Sequence, residues 1–301
     1  MGNQMFMYAA GLAAASRLNT ELVLDNGNFS ALTTNDRPYQ LSCFPEITER
    51  TASFSDVWNI SPRKALLNLV ERRRIRKYHV LRRLMRKLIR KFWPKGRLFQ
   101  PEWCSYSPDF ENVRDNTLLS GYFESEKIFA GIKPLVRKKF TFAPECFDPE
   151  LIQKVRTCNS AALHIRRGDK ANDSTFYSYG DNCAYYIRQA AEKLSAMTDS
   201  PKFFVFSDDI GWCRENLPKI YEADYTFVEG GTAMQDMALM TKCKHVIAGP
   251  STFSWWGAWL NDNPNKIVIA PDINLWYREG AWCYVPEDRQ YLLPPEWIKI
   301  A

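Results

Sequence analysis

Five short apolar runs recur through the second half of this 301-residue chain, AALHI (161–165), FFVFS (203–207), YTFVE (225–229), HVIAG (245–249) and KIVIA (266–270), with helix-like segments between most of them. A run that is apolar at successive positions can be buried on both faces, and the intervening segments supply crossover helices. The pattern therefore restricts this half to a parallel sheet covered on both sides. In such sheets a ligand sits beyond the carboxyl ends of the strands. Here those ends carry His164 to Lys170, Ser207-Asp208-Asp209, Glu229-Gly230-Gly231, Gly249-Pro250-Ser251-Thr252 and Pro271-Asp272. Five polar exits on one edge make a candidate site.

Arg166 and Arg167 leave the first of these strands together. Neighbouring guanidiniums suit a diphosphate, because each donates paired, charge-assisted hydrogen bonds and stays protonated at neutral pH. A solvated pair held by Asp169 is the plainer alternative. The run GPSTFS (249–254) opens a helix, so backbone N–H groups and the hydroxyls of Ser251, Thr252 and Ser254 can face an anion there, or one hydroxyl can serve as an ordinary N-cap. Asp236, on the mostly apolar helix TAMQDMALMTKC, could accept from a base amino group or a ribose hydroxyl. Trp255, Trp256 and Trp259 are read as core packing, and His245 as structural.

The organisation changes near residue 140, giving two domains, 1–140 and 141–301. The first half opens on a helical GNQMFMYAAGLA, followed by a strand-like ELVLDN (21–26), turn-rich sequence around Pro38 and Pro45, a short apolar TLLSGYF (117–123) and an amphipathic helix over 124–140. A basic helical insertion occupies about 62–95. Residues 63–97 hold 15 of the 40 Lys and Arg but only one acid, Glu71, so the rest of the chain counts 25 basic against 33 acidic residues. Within it Tyr78, Leu81, Met85, Leu88 and Phe92 recur at helical spacing, and Pro94 and Gly96 end the element. Such a helix can lie on an anionic membrane through residues 72–93, bind nucleic acid, or pack its stripe on its own domain. No run reaches the roughly 20 apolar residues of a membrane span. Eight cysteines are scattered with no C-x-x-C and only three histidines, which argues against a zinc site and for reduced, mostly buried thiols in a cytoplasmic protein.

HIRRGD, FSDDIGWCRENL and above all DMALMTKCKHVIAGPSTFSWWGAWLN resemble the GDP-fucose-dependent α-1,2-fucosyltransferases of glycosyltransferase family 11, as do GNQMFMYAAGLA and GYFESEKIF. The resemblance spans nearly the whole chain apart from the cationic region 60–100. It implies an α/β, GT-B-like fold in which two Rossmann-like domains face a cleft. The activity it implies is an inverting, metal-independent transfer of L-fucose from GDP-β-L-fucose to the 2-hydroxyl of a galactoside. On matching positions Arg166 would contact the β-phosphate and stabilise departing GDP, His164 and Asp236 would read the guanosine, and Ser251, Thr252, Phe253 and Ser254 would hold the diphosphate. Ser207 and Asp208 belong to the same donor-binding set. No cofactor is implied beyond the donor, and the chain has no D-x-D that would form an obvious metal-binding pair.

Cleavage of a glycosyl-phosphate bond leaves charge on the diphosphate, and arginine can neutralise it. Arg167 and Asp169 join Arg166 as catalytic candidates. The general base stays open among Asp169, whose alternative role is to orient Arg167 through an ion pair, and Asp25, Glu124 and Glu126 of the first domain. Members of the family open with a strand and a glycine-rich loop; this chain starts at Met1-Gly2-Asn3-Gln4, so that strand is expected to be missing, with Asn3 and Gln4 still able to reach the donor. The expected acceptor is a galactose-terminated glycan, free or lipid-linked, in surface polysaccharide biosynthesis on the inner face of the cytoplasmic membrane, with no nucleic acid partner. The alternatives are a transferase for another nucleotide sugar or hydroxyl, and an inactive nucleotide- or polyanion-binding protein acting through its basic helix.

Overall fold

The computed structural model describes residues 1–27, 38–71, 79–101, 106–168, 181–272, 275 and 290–301. The chain divides into two compact units, Asn3–Lys139 with Met1, and Phe140–Ala301 with Gly2. No helix among the described residues is long and apolar enough to cross a membrane.

In the first unit helix α1 (Gly2–Leu18) is built from small and apolar residues and is buried on nearly every side, at Met5, Phe6, Tyr8, Ala9, Ala10, Leu12, Ala14 and Ala15. It stops at Asn19, whose left-handed φ of 51° turns its N–H back to the carbonyls of Ala15 and Ser16. Helix α2 (Phe54–Ile60) begins with a capping box between Ser53 and Asp56. It is followed by α3 (Pro62–Glu71) and α4 (His79–Phe92). The end of α4 is tied back to the start of α3: Arg63 Nε donates to the Trp93 carbonyl at 2.8 Å, and Arg97 N to the Ile60 carbonyl at 3.0 Å. Gly96 permits this closure, since its φ is +72° and a Cβ there would stand 2.0 Å from the Ile60 oxygen.

The Rossmann-like sheet expected for this unit is reduced, among the described residues, to short parallel pairings. Strand β1 (Leu98–Phe99) pairs with β2 (Leu118–Leu119), and a single bridge joins Leu24 to Thr51. ELVLDN and TLLSGYF thus contribute far less strand than their composition suggests. The predicted helix over 124–140 is corrected to a 3-10 turn at Glu126–Ile132, broken at Phe129, and a separate helix α5 (Lys133–Lys139). The apolar spacing survives the break, but Pro134 restarts the helix, because proline fits the first turn and not the interior.

The second unit adopts the expected α/β architecture. Its elements run α6 (Pro149–Thr157), β3 (Ser160–Ile165), α7 (Asp181–Ser195), β4 (Lys202–Ser207), α8 (Ile210–Ile220), β5 (Asp224–Phe227), α9 (Ala233–Met240), β6 (His245–Ile247), α10 (Thr252–Leu260), β7 (Val268–Pro271) and β8 (Ile298–Ile300). All five apolar runs are strands, and β8 is a sixth that the sequence did not announce. The sheet is wholly parallel in the order β5-β4-β3-β6-β7-β8. Leu163 lies opposite both Val205 and Ile247.

Alternate residues Ala161, Leu163, Ile165, Phe203, Val205, Ile247 and Ile269 pack against Tyr186, Ile187, Ala190 and Leu194 of α7 and Cys213 and Leu217 of α8. The residues between them, Ala162, His164, Phe204, Phe206 and Val246, are buried too, so both faces are covered. Of the described cysteines, Cys183, Cys213 and Cys243 are buried and Cys43, Cys146 and Cys158 half-buried, all as free thiols. The chain leaves β3 for β4 on one side and returns past it to β6 on the other. That reversal places a switch point between the exits of β3 and β6, where parallel sheets leave room for a ligand.

Candidate active site

Beyond Ile165 the backbone enters Arg166-Arg167-Gly168, and the exit of β4 holds this loop. Asp208 Oδ1 accepts the N–H of Arg167 at 2.7 Å and of Gly168 at 3.1 Å, while Oδ2 pairs with Arg166 Nη1 at 2.9 Å. A Cβ on residue 168 would lie 2.7 Å from that same oxygen, so glycine is what lets the loop sit so close. Three donors on one carboxylate make Asp208 the organiser of the loop.

The two arginines then diverge. Arg167 Nε pairs with Asp209 at 3.3 Å, and its guanidinium lies 4.0 Å from the centre of the Trp212 ring. Asp209 also caps α8 by accepting from Trp212 N at 3.2 Å, and its own N–H is bound by Ser207 Oγ at 3.0 Å. Arg167 is thus stacked down onto α8. Arg166 instead lines a small pocket, partly open to solvent, with His164, Ile165, Tyr186, Gly249, Pro250 and neighbouring residues of α7 and β7. Beneath it the buried Tyr186 hydroxyl donates to the Ala248 carbonyl at 2.6 Å, and burial holds its pKa well above the usual phenol range.

His164 points to the other face of the sheet from Leu163, and its ring centre is 5.4 Å from that of Phe253 on α10. The Gly249 backbone approaches so closely that a Cβ there would be 2.6 Å from the His164 carbonyl oxygen and 3.3 Å from Nδ1. The exits of β3 and β6 are therefore packed as one piece.

The hydroxyls at α10 do not share the same partners. Ser254 is fully buried and donates to the carbonyls of Gly249 and Ser251, each at 3.0 Å, so it braces the turn. Ser251 is the N-cap, accepting from Phe253 N at 3.3 Å. Thr252 is half-buried in the first turn, and Gly2 packs against it: a Cβ on Gly2 would lie 2.6 Å from Thr252 Oγ1 and 2.7 Å from Phe253 N. Trp255, Trp256 and Trp259 are buried behind them as core. His245 is structural, its Nδ1 accepting from Ile267 N at 3.1 Å and its Nε2 bonded to Asn159 Oδ1 at 3.2 Å.

Asp236 sits in the first turn of α9, whose N-terminus carries a capping box between Thr232 and Gln235. Burial pushes its carboxyl up to about 6. Among the described residues no charged partner offsets that burial, and such a carboxyl can accept a hydrogen bond from a donor. Asp169 lies outside the described residues, and the ion partners that the structure gives the arginines are Asp208 and Asp209.

The first-unit candidates are placed separately. Gln4 is buried, its amide donating to the Pro38 carbonyl at 2.8 Å and accepting from Gln40 N at 2.8 Å, which fastens α1. Asn3 lies beside it, half-buried, in the first turn of α1. Asp25 accepts from Gly27 N at 3.0 Å and from Asn68 at 3.2 Å, Glu126 pairs with Lys133 at 2.8 Å, and Glu124 is buried. Among the described residues no cluster of three or more His, Cys, Asp or Glu could hold a metal ion. Sequence reasoning missed the latch role of Asp208 and the packing of Gly249 on His164, both set by partners about 40 or more residues away.

A model of glycosyl transferase family 11 matches residues 109–300. The alpha-1,2-colitosyltransferase of Escherichia coli is 30% identical, with 100% of this chain and 96% of that protein aligned. The O-antigen biosynthesis glycosyltransferase WbnK of Escherichia coli is 29% identical, over 90% of this chain and 91% of that protein. Human galactoside alpha-(1,2)-fucosyltransferase 1 is also 29% identical, over 66% of this chain and 56% of its own length. With the family match spanning the switch-point loop, α9 and α10 alike, the chain belongs to glycosyl transferase family 11.

Proposed function

We propose that this glycosyltransferase moves L-fucose from GDP-β-L-fucose to the 2-hydroxyl of a terminal galactoside, with inversion at the anomeric carbon. The observation that carries the reading is the pairing of Arg166, lining the pocket at the exit of β3, with the N-terminus of α10 at the exit of β6. These are two positive features at one switch point, as a diphosphate requires.

In the reaction the acceptor oxygen attacks C1 from the face opposite GDP, the C1–O bond to the β-phosphate breaks, and the acceptor proton passes to a base. Arg166 and the helix N-terminus stabilise the charge that grows on the diphosphate, so leaving-group expulsion needs no metal. Asp208 positions the loop, and Arg167, held by Asp209 and Trp212, fixes its far side. Asp236 as carboxylate and His164 recognise the nucleoside. Asp169, Asp25, Glu124 and Glu126 are the candidate bases.

The relatives named above support an α-1,2 linkage, a galactoside acceptor and a place in bacterial surface glycan assembly; the acceptor in this reading is lipid-linked and met at the inner face of the cytoplasmic membrane. The colitosyltransferase likeness favours one second reading, transfer of colitose, a fucose lacking the 3-hydroxyl. Turnover of GDP-L-fucose and GDP-L-colitose on galactosides, with the product linkage assigned by NMR, decides between them. Turnover that survives EDTA and falls in Arg166→Ala supports the mechanism; a requirement for added divalent metal rejects it.

A further inference from the structure

Helix α4 carries its apolar stripe outward. Leu81, Leu84, Leu88 and Phe92 are 49%, 53%, 44% and 64% exposed, whereas Ile89 is only 7% exposed. At 100° per residue those four exposed side chains fall within an arc of about 80°, with Arg83 and Arg90 on the opposite side and Lys87 on the flank. Lys91 borders the stripe, its Nζ 5.5 Å from the Phe92 ring centre, and Trp93 follows at the helix end. The sequence of α4, HVLRRLMRKLIRKF, contains no acid.

We infer that α4 is a docking surface for an anionic lipid bilayer, lying in the interface plane with Leu81, Leu84, Leu88 and Phe92 among the acyl chains and its cations at the headgroups. The charge pattern selects this occupant. A nucleic acid would answer the cations but leave the stripe in water. A second copy would cover the stripe but set one acid-free cationic helix against another. The bonds from Arg63 to the Trp93 carbonyl and from Arg97 to the Ile60 carbonyl already hold the helix in place, so docking does not have to fold it. The inference is independent of which sugar the enzyme transfers.

The test is flotation of the full chain with phosphatidylcholine vesicles, with and without phosphatidylglycerol, alongside light scattering of the protein alone. The wild type floats with the anionic vesicles and less so at high salt. Arg83→Glu with Arg90→Glu, and separately Leu88→Ser with Phe92→Ser, each lower the bound fraction by about tenfold or more. Unchanged thermal unfolding of both variants shows that the surface, not the fold, was altered. The inference is overturned if the wild type ignores phosphatidylglycerol, if the Leu88→Ser, Phe92→Ser protein floats as well as the wild type, or if those substitutions dissociate a stable dimer. Binding of RNA in place of vesicles overturns it as well.

Discussion

Helices α10 and α4 are both rich in large apolar side chains, and they use them in opposite ways. In α10, Trp255, Trp256 and Trp259 are buried against one another and against Phe140 and Trp297, with ring centres 5.0 Å apart for Phe140–Trp256 and 5.5 Å for Trp255–Trp297. The Trp255 indole also donates to the Leu292 carbonyl at 2.8 Å. In α4 four of the apolar residues face water. Apolar content alone therefore does not say where a helix belongs. What separates the two is the company of charge: α10 contains none, whereas α4 has six cations that keep one side in water wherever the other side goes.

The comparison breaks most visibly at Trp256. Replacement by alanine empties a well-packed site and should cost about 3–5 kcal/mol, seen as a lower midpoint in thermal or urea unfolding. A loss near zero would mean that α10 is not core. At the polar tip of the same region, Arg166→Ala should lower kcat about 10²–10³-fold with little change in unfolding, because Asp208 keeps its two backbone donors. Equal losses in stability and rate would return Arg166 to a structural role.

Asp208→Ala sits between these extremes. It strips partners from two backbone N–H groups and one guanidinium, and should cost about 1–3 kcal/mol together with activity. Asp236 gives a smaller effect whose size depends on pH. Its folded pKa, about 6, lies above the unfolded carboxyl value, so the native state holds an extra proton between roughly pH 4 and 6 and stability falls as pH rises through that window. Asp236→Asn should therefore stabilise the protein by about 1 kcal/mol at pH 7, a figure already reduced for the contact the side chain keeps with solvent. The same change should weaken GDP binding in calorimetry, and wild-type affinity should rise as pH passes 6. Smallest of all, Leu88→Ser on the exposed face of α4 should move stability by less than about 0.5 kcal/mol. A large loss there would show that the stripe is packed after all.

The second unit was legible because its strands are runs buried on both faces, a pattern that needs no knowledge of partners. Strand β8 escaped notice because its three residues, Ile298-Lys299-Ile300, acquire strand character only by pairing with β7. The first unit was poorly legible for the same reason in stronger form, since β1, β2 and the Leu24–Thr51 bridge are pairings a residue or two long. At the site, sequence supplied Arg166 and the α10 turn. The family resemblance singled out Arg166, but the residue pattern alone could not separate it from Arg167, because their surroundings depend on Asp208, Asp209 and Trp212. For α4 it offered a stripe with Met85 and without Leu84, and only the burial of Ile89 shows which way that stripe turns.

The ion pair between Arg166 and Asp208 has a kinetic side. In the proposed transfer, an arginine that already holds a carboxylate would receive an incoming diphosphate by exchange, one anion displacing another. On the way out the order would reverse, the carboxylate reclaiming the guanidinium as the nucleotide withdraws. A residue that binds a multiply charged product tightly enough to expel it from a sugar would otherwise tend to keep it. A resident competitor one side chain away lets the same arginine let go.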